Sequence, residues 1–377
     1  MTDGHGSGYE EAAAKVRALL AERRAARKSP AMLLRDARIK TAETKILRVL
    51  RQQTVCHQKE LERRVCEVGF RFYPLAPQAE RPEPVHLIEA RKRLSDRDLI
   101  DLQTRTVRGN KYFFYHLADA DPAKVRAALD AKFRATQAFE GAHSNKNLSG
   151  FATEHMLWRS MSAADNWFVM PHEFGRDIRA LDGKTSDAGV DLAGIELATR
   201  VRAVVEVKNI REWVYPDGPV IWTLLSAAAQ LNAVPILIAS RIAEPTYLFM
   251  TAVGGYVVPM LNVYLDQAAL SDPASAPQLE AAIDVLGYKD VKFMDPEQPI
   301  ERFTKHFSER VPPRLADMWA TFSGAKDEAL RLARDEGLRE DGLRTGKVSG
   351  KKREDLFKEF WSLLRGSDGS VMHPSEF

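Results

Sequence analysis

The sequence predicts an α/β protein whose central mixed sheet, flanked by helices, is preceded by a small three-helix-and-hairpin domain and followed by a mainly helical region. Three observations carry that expectation. Between Leu148 and Ser240 the chain alternates a helical run, three short strand-like runs, a second helical run and a buried strand. Between Thr41 and Leu117, three helical apolar stripes give way to two β-rich runs around a turn. After Asp266 the apolar residues return mostly to helical spacing. The divisions that follow are 1–40 for an N-terminal helical extension, 41–120 for the small domain, 121–147 for a helical linker, 148–265 for the core and 266–377 for the C-terminal region.

An apolar share of 45% with 28% charged residues excludes a disordered chain, and 377 residues are enough for two or three domains. The net charge of +3 hides an asymmetry: residues 1–120 carry about +8 and residues 121–377 about −5. A basic front end suits a polyanionic partner. Acidic character in the body is no objection, because hard cation sites are built from carboxylates. Cys56 and Cys66 lack the four closely spaced ligands of a structural zinc site and read as two reduced, buried thiols. The polar N-terminus has no signal-peptide pattern, and no apolar run approaches the ~20 residues that span a bilayer. The expectation is a cytoplasmic protein with no membrane partner.

Taken in order, residues 10–28 show an Ala-rich helical pattern whose closing Arg23, Arg24, Arg27 and Lys28 suit the negative end of the helix dipole. Ser29-Pro30 breaks it. Thr41 to Thr44 offers an N-cap ahead of the stripe Ile46, Leu47, Val49 and Leu50. A second helix fits 57–68, with Leu61, Val65 and Val68 inward, and a Pro-rich loop follows over 72–84. The third helix, from Val85 to at least Leu94, carries Arg91, Lys92 and Arg93, with Arg97 beyond. Two β-rich runs, 101–107 and 111–117, flank Arg108-Gly109-Asn110, with Gly109-Asn110 as the turn of a hairpin. Three helices and then a hairpin resembles a winged helix-turn-helix domain. That resemblance implies DNA as the partner, the third helix in the major groove and the hairpin tip on the backbone. Arg91, Lys92, Arg93 and Arg97 then become candidate groove or phosphate contacts, and Arg108 and Lys111 candidate wing contacts. The alternative is a solvated helix face on a winged helix that binds protein.

A helix over 122–139 and a polar stretch at 141–147 lead into the core. Gly150-Phe151-Ala152-Thr153-Glu154 opens a helix that continues through Met156, Leu157 and Trp158. Residues 167–170 make a strand. Residues 189–195, entered through a glycine turn, make a second that carries Asp191, and 203–209 a third that carries Glu206 and Lys208. A helix near 222–232, holding Gln230, and a buried strand at 235–240 complete the unit. Side chains alternate along a strand, so Glu206 and Lys208 share one face and Val207 takes the other. Asp191 on the neighbouring strand then brings a second carboxylate beside Glu206. Two hard oxygen ligands suit Mg²⁺ (or Mn²⁺), which keeps waters and leaves room for a phosphate oxygen. A lysine beside them is suited to orienting or deprotonating the attacking water, or to offsetting charge in the transition state. The alternative is a plain ion pair of Lys208 with Glu206 or Asp191 at a sheet edge. Asp187 and Glu196 lie close enough in sequence to be mistaken for the Asp191 ligand.

The order helix, three-stranded meander, helix, strand, with these residues, resembles the PD-(D/E)XK nuclease superfamily, whose fold is the restriction endonuclease-like core. The resemblance assigns the family's Asp to Asp191, its Glu-X-Lys to Glu206-Val207-Lys208 and its helical Glu to Glu154. It implies catalysis by Glu154, Asp191, Glu206 and Lys208, a metal held by Asp191, Glu206 and Glu154, and Gln230 as active-site support. A winged helix in front of such a core is architecturally similar to modification-directed restriction enzymes of the Mrr kind. The expected function is a metal-dependent endonuclease acting on DNA, in restriction of foreign DNA or in repair. The rival is a DNA-binding regulator or scaffold without turnover. A double-strand break from one site per chain implies a homodimer or two sequential nicks. The amphipathic stretches at 312–336 and 353–364 leave three roles open: packing on the core, a dimer contact, or a protein partner.

Overall fold

The computed structural model describes residues 30–67, 82–173, 175–209, 212–334, 337–339 and 350–364. The helix expected over 10–28, most of the Pro-rich loop at 72–84 and most of the stretch 337–352 lie outside these residues. The described chain is mixed α/β, with several separate sheets and no barrel.

At the front, α1 (Pro30–Gln53) is continuous from the first described residue, and the break expected at Ser29-Pro30 lies at the edge of the described residues. α1 then runs through Thr41, and the division drawn at residues 40 and 41 falls inside a continuous helix. His57, expected to open the second helix, closes strand β1 (Val55–His57); α2 (Gln58–Glu62) follows and widens into a π-helical turn, Arg63–Glu67. α3 (Pro84–Ser95) and the hairpin of β2 (Ile100–Val107) with β3 (Asn110–Leu117) fall close to expectation. The hairpin turn is Arg108-Gly109, one residue earlier than Gly109-Asn110, because a two-residue turn of this hand needs positive φ at both positions. Those φ values are 50° and 84°. β1 adds to the hairpin in the order β1-β3-β2. Ile46, Leu50, Leu61, Leu87 and Leu94 close the core beneath it.

The linker helix α4 (Pro122–His143) is capped by Asp121, whose carboxylate accepts from Ala123 N at 2.8 Å. The body begins with α5 (Gly150–Ser162) and a five-stranded sheet in the order β10-β9-β8-β7-β4. β4 (Trp167–Val169), β7 (Leu192–Glu196) and β8 (Arg202–Lys208) form the antiparallel meander; β8, β9 (Ala233–Ala239) and β10 (Tyr256–Pro259) run parallel. The crossover from β8 to β9 is α6 (Pro219–Leu231), and α7 (Glu244–Ala252) leads to β10. A hairpin, β5 (Ile178–Leu181) with β6 (Lys184–Val190), is inserted between β4 and β7. The single strand expected over 189–195 is therefore two strands that meet at Asp191.

Side-chain alternation divides the core into two layers. Ala203, Val205 and Val207 face one cluster with Met156, Leu157 and Ile236. Val204 faces the other with Ala193, Leu225 and Trp222. Glu206 and Lys208 continue the Val204 face at the end of β8, and Asp191 the Ala193 face. Beyond the sheet, β11 (Val263–Asp266) pairs in parallel with β12 (Val291–Met294) beside α8 (Ala276–Leu286). α9 (Glu301–Lys305) passes through a π-turn, His306–Arg310, to α10 (Pro312–Arg334); α11 (Gly350–Leu364) closes the described chain. Among the open roles for these helices, packing on the core is observed: Phe322, Phe357, Phe360 and Trp361 join the Trp222–Phe249 cluster. No helix among the described residues is long and apolar enough to cross a membrane.

The front domain is bolted to the body. Arg38 pairs with Glu244 at 3.0 Å, and the Glu83 carboxylate accepts from Glu244 N at 2.8 Å. Trp213 packs against the front-domain core. Asp290 bridges Arg63 at 3.0 Å and Arg241 at 2.9 Å. Arg241 is thus buried in an ion pair.

Candidate active site

Three strand ends and one helix build the site. β8 delivers Glu206 and Lys208 two residues apart, so both project from one face. Glu206 is buried, at 7% exposure, and Lys208 is partly exposed. Lys208 Nζ lies 2.5 Å from Glu206 Oε1. Asp191 sits in the break between β6 and β7, and its Oδ2 accepts from Val207 N at 2.6 Å. That bond turns the break into a clip: the carboxylate is fixed to the backbone between Glu206 and Lys208. Glu154 comes from the first turns of α5.

The four groups feel one another. Burial, with Asp191 and Glu206 beside it, pushes the Glu154 carboxyl up to about 8. Burial and Asp191 push Glu206 up to about 8, although Lys208 opposes the shift. Asp191 is also raised, by burial first, against the pull of Lys208 and the Val207 N–H. Burial lowers the affinity of Lys208 for its proton, but Glu206, Asp191 and Glu154 outweigh it and hold the ammonium above its ordinary range. Like charges gathered where water is scarce are the physical origin of this pattern. Such a cluster is a recognised mark of a functional site.

The other two acids do different work. Asp187 is held by Gln230 at 2.6 Å and Arg339 at 2.7 Å. Glu196 accepts from Thr199 N and Oγ1, each at 2.7 Å. Gln230 consequently does not support the active site: Asp187 N also donates to its Oε1, so the amide clamps β6 to α6. Its location in α6 matched the expectation, but its partner is Asp187 on the inserted hairpin.

Three residues without a role in the sequence reading stand close by. Asp177, at the start of the inserted hairpin, adds its negative charge to those felt by Glu154, Asp191 and Glu206. Its side chain fills the space a Cβ at Gly189 would take. His172 Nε2 lies 4.0 Å from Glu154 Oε2; burial and then His155 push its imidazole down to about 4. Asn209, directly after Lys208, is buried and ties three segments together. Its Nδ2 donates to Ser149 O at 3.2 Å, Thr153 Oγ1 at 2.8 Å and Tyr264 O at 2.5 Å, and its Oδ1 accepts from Tyr264 N at 3.0 Å. The end of β8 is thereby locked to the turn of α5 that carries Glu154. A polar residue immediately after Glu-X-Lys was the available signal for Asn209. Nothing in the sequence set Asp177 or His172 apart.

The donor set is all oxygen, which suits a hard divalent cation. Among the described residues, no three His, Cys, Asp or Glu side chains are gathered as a ready metal-binding group. In this arrangement Lys208 supplies the neutralising charge.

The candidate DNA contacts divide. Arg91 is turned inward, 8% exposed, with its guanidinium 4.9 Å from the Tyr115 ring centroid, so it braces α3 and is corrected from contact to packing. Arg93 pairs with Glu89 at 3.2 Å and Asp36 at 3.6 Å, and Arg97 with Glu43 at 2.9 Å. Lys92, Arg108 and Lys111 are exposed. The N-terminal end of α3 is occupied by the Glu83 contact to the body. Comparison of the chain with protein families, curated proteins and solved structures gives no match.

Proposed function

We propose that the chain is a hydrolase of phosphodiester bonds: a metal-dependent endonuclease acting on DNA. The observation that carries this reading is the convergence of Glu154, Asp191, Glu206 and Lys208 at one end of an otherwise apolar sheet, where three carboxyls are pushed above their ordinary range. The α5–β4–β7–β8–α6–β9 order supports it, because it is the order of the superfamily that the sequence resembles. Mg²⁺ or Mn²⁺, held by Asp191, Glu206 and Glu154, would polarise the phosphoryl group and lower the pKa of a bound water. Asp191 is kept in place by the Val207 N–H, so one ligand needs no reorganisation. Lys208, kept as an ammonium by its neighbours, donates to a phosphoryl oxygen and offsets charge as it develops. Asn209 fixes the distance between the strand that carries Glu206 and the helix that carries Glu154.

DNA contact falls to Lys92, Arg108 and Lys111 of the front domain, with Arg93 and Arg97 available where DNA phosphates compete with their carboxylate partners. The rival reading, a DNA-binding regulator without turnover, draws on the closed Lys208–Glu206 pair. Lys208→Ala separates the two. The enzyme reading expects cleavage to be abolished with DNA affinity within about threefold of wild type. Unchanged cleavage removes the site assignment.

A further inference from the structure

At the opposite side of β9 from β8, the edge strand β10 and the α9–α10 segment line an open cavity of about 460 Å³. That volume lies within the ~300–1,000 Å³ of small-molecule pockets. Two strand spacings, roughly 10 Å, separate β10 from the strand of Glu206 and Lys208.

The lining is one-sided in charge. Arg302, Lys305, Arg310 and Arg314 line it, and Glu301 is the one carboxylate among the lining residues. Lys305 has Glu309 at 3.8 Å. The three arginines have no carboxylate partner among the described residues; Arg302 and Arg314 lie against aromatic rings instead, 5.5 Å from Phe303 and 5.7 Å from Tyr256. Arg302 is half-buried, and burial holds its guanidinium below the usual value. His306 stands among all three. Burial and then Arg302, Arg310 and Arg314 push its imidazole down to about 4, and its Nδ1 is buried with no hydrogen-bond partner. Three cations around a neutral ring, none of them paired with a carboxylate among the described residues, form a surplus that an anion relieves.

We propose that this cavity binds a nucleotide, with its phosphates on Arg302, Arg310 and Arg314 and its base against Tyr247 and Tyr256. Guanidinium forks bind phosphate oxygens in pairs, and three unpaired cations suit the higher charge and larger number of acceptor oxygens of phosphates better than a single carboxylate. The two tyrosines and the volume favour a ligand with a planar ring over inorganic phosphate. The nucleotide comes from one of two sources, a free nucleotide or one residue of a DNA strand. The site is independent of the proposed nuclease centre, and its test reads binding without cleavage.

The full chain is titrated, in Mg²⁺ and in EDTA, with a fluorescent methylanthraniloyl-ATP and separately with fluorescein-labelled pentathymidylate, each against unlabelled ATP and inorganic phosphate. The expected result is saturable binding of at least one probe, at least tenfold weaker in the Arg310→Ala/Arg314→Ala double variant. Both side chains are exposed, so the melting temperature reports that this variant is folded. Lys184→Ala, an exposed lysine on the inserted hairpin, leaves binding unchanged. Binding of the ATP probe assigns a free nucleotide, and binding of the oligonucleotide alone assigns a strand; either supports the site. Absence of saturable binding by both probes, affinity within twofold of wild type in the double variant, or competition by phosphate equal to that by ATP overturns it.

Discussion

Replacing Asn209 by alanine removes four hydrogen bonds from a buried junction between β8, α5 and β11. The groups left behind do not suffer equally. Ser149 O still accepts from Thr153 N at 3.1 Å, and the single proton of the Thr153 hydroxyl is shared between Ser149 O at 2.6 Å and Tyr264 O at 3.3 Å. Tyr264 N–H loses its acceptor altogether. An orphaned buried amide costs about 1–3 kcal/mol, and each lost but partly replaced bond about 0.5–1 kcal/mol. The sum is about 2.5–6 kcal/mol, a large fraction of the stability of an ordinary domain. Thr153→Val, which loses a single hydroxyl, costs about 1 kcal/mol on the same reasoning. Urea unfolding followed by tryptophan fluorescence measures both variants. Because the junction also sets the distance from Glu154 to Glu206, cleavage by Asn209→Ala at a temperature where it remains folded falls at least tenfold. A stability loss below about 1 kcal/mol with wild-type cleavage refutes the idea that Asn209 holds strand and helix together.

His57 gives a pH dependence with a definite sign. Burial and then Lys59 push its imidazole down to about 3, beside the Phe114 ring at 5.2 Å. Above pH 6.5 the residue is neutral folded and unfolded, and contributes no penalty. Between 6.5 and about 3 the unfolded chain takes a proton that the folded chain refuses, so stability falls as pH falls, by up to about 1.4 kcal/mol per pH unit. His57→Phe flattens this limb; identical slopes for variant and wild type between pH 7.5 and 5 would exclude His57 as the source. Gly189→Ala tests the approach of the inserted hairpin to the site. A Cβ there stands 2.3 Å from Asp177 Cβ, so the hairpin must shift, at a cost of about 1–3 kcal/mol. Cleavage is expected to fall at least tenfold with front-domain DNA affinity retained, and full activity would mean that Asp191 tolerates movement of the hairpin.

Where local pattern and tertiary structure agree, the sequence was a sufficient guide. The face shared by Glu206 and Lys208, the strand of apolar residues between Ala233 and Ala239 and the helix that opens at Gly150 all follow from periodicity. Asp191 was found for a reason that turned out differently: it occupies the junction of two strands, where its carboxylate replaces a strand partner for Val207 N–H. The inserted hairpin was missed because the buried positions of β6 are Ser186, Ala188 and Val190, two of them too small or polar to read as the apolar alternation of a buried strand. Arg91 and Gln230 show the limit of helix-face reasoning. Both lie on helices at suitable places, yet a tyrosine ring takes one and an aspartate on another strand takes the other. Long-range ion pairs such as Arg38–Glu244 and Arg63–Asp290 have no local signature at all.

The measurement that bears most directly on the central claim is incubation of purified protein with supercoiled plasmid in Mg²⁺, in Mn²⁺ and in EDTA, beside Glu206→Ala. Nicking or linearisation that needs the metal and disappears in Glu206→Ala is the predicted result. Cleavage that survives both EDTA and Glu206→Ala, or wild-type protein that binds plasmid, branched and methylated DNA without cutting any of them, contradicts the account.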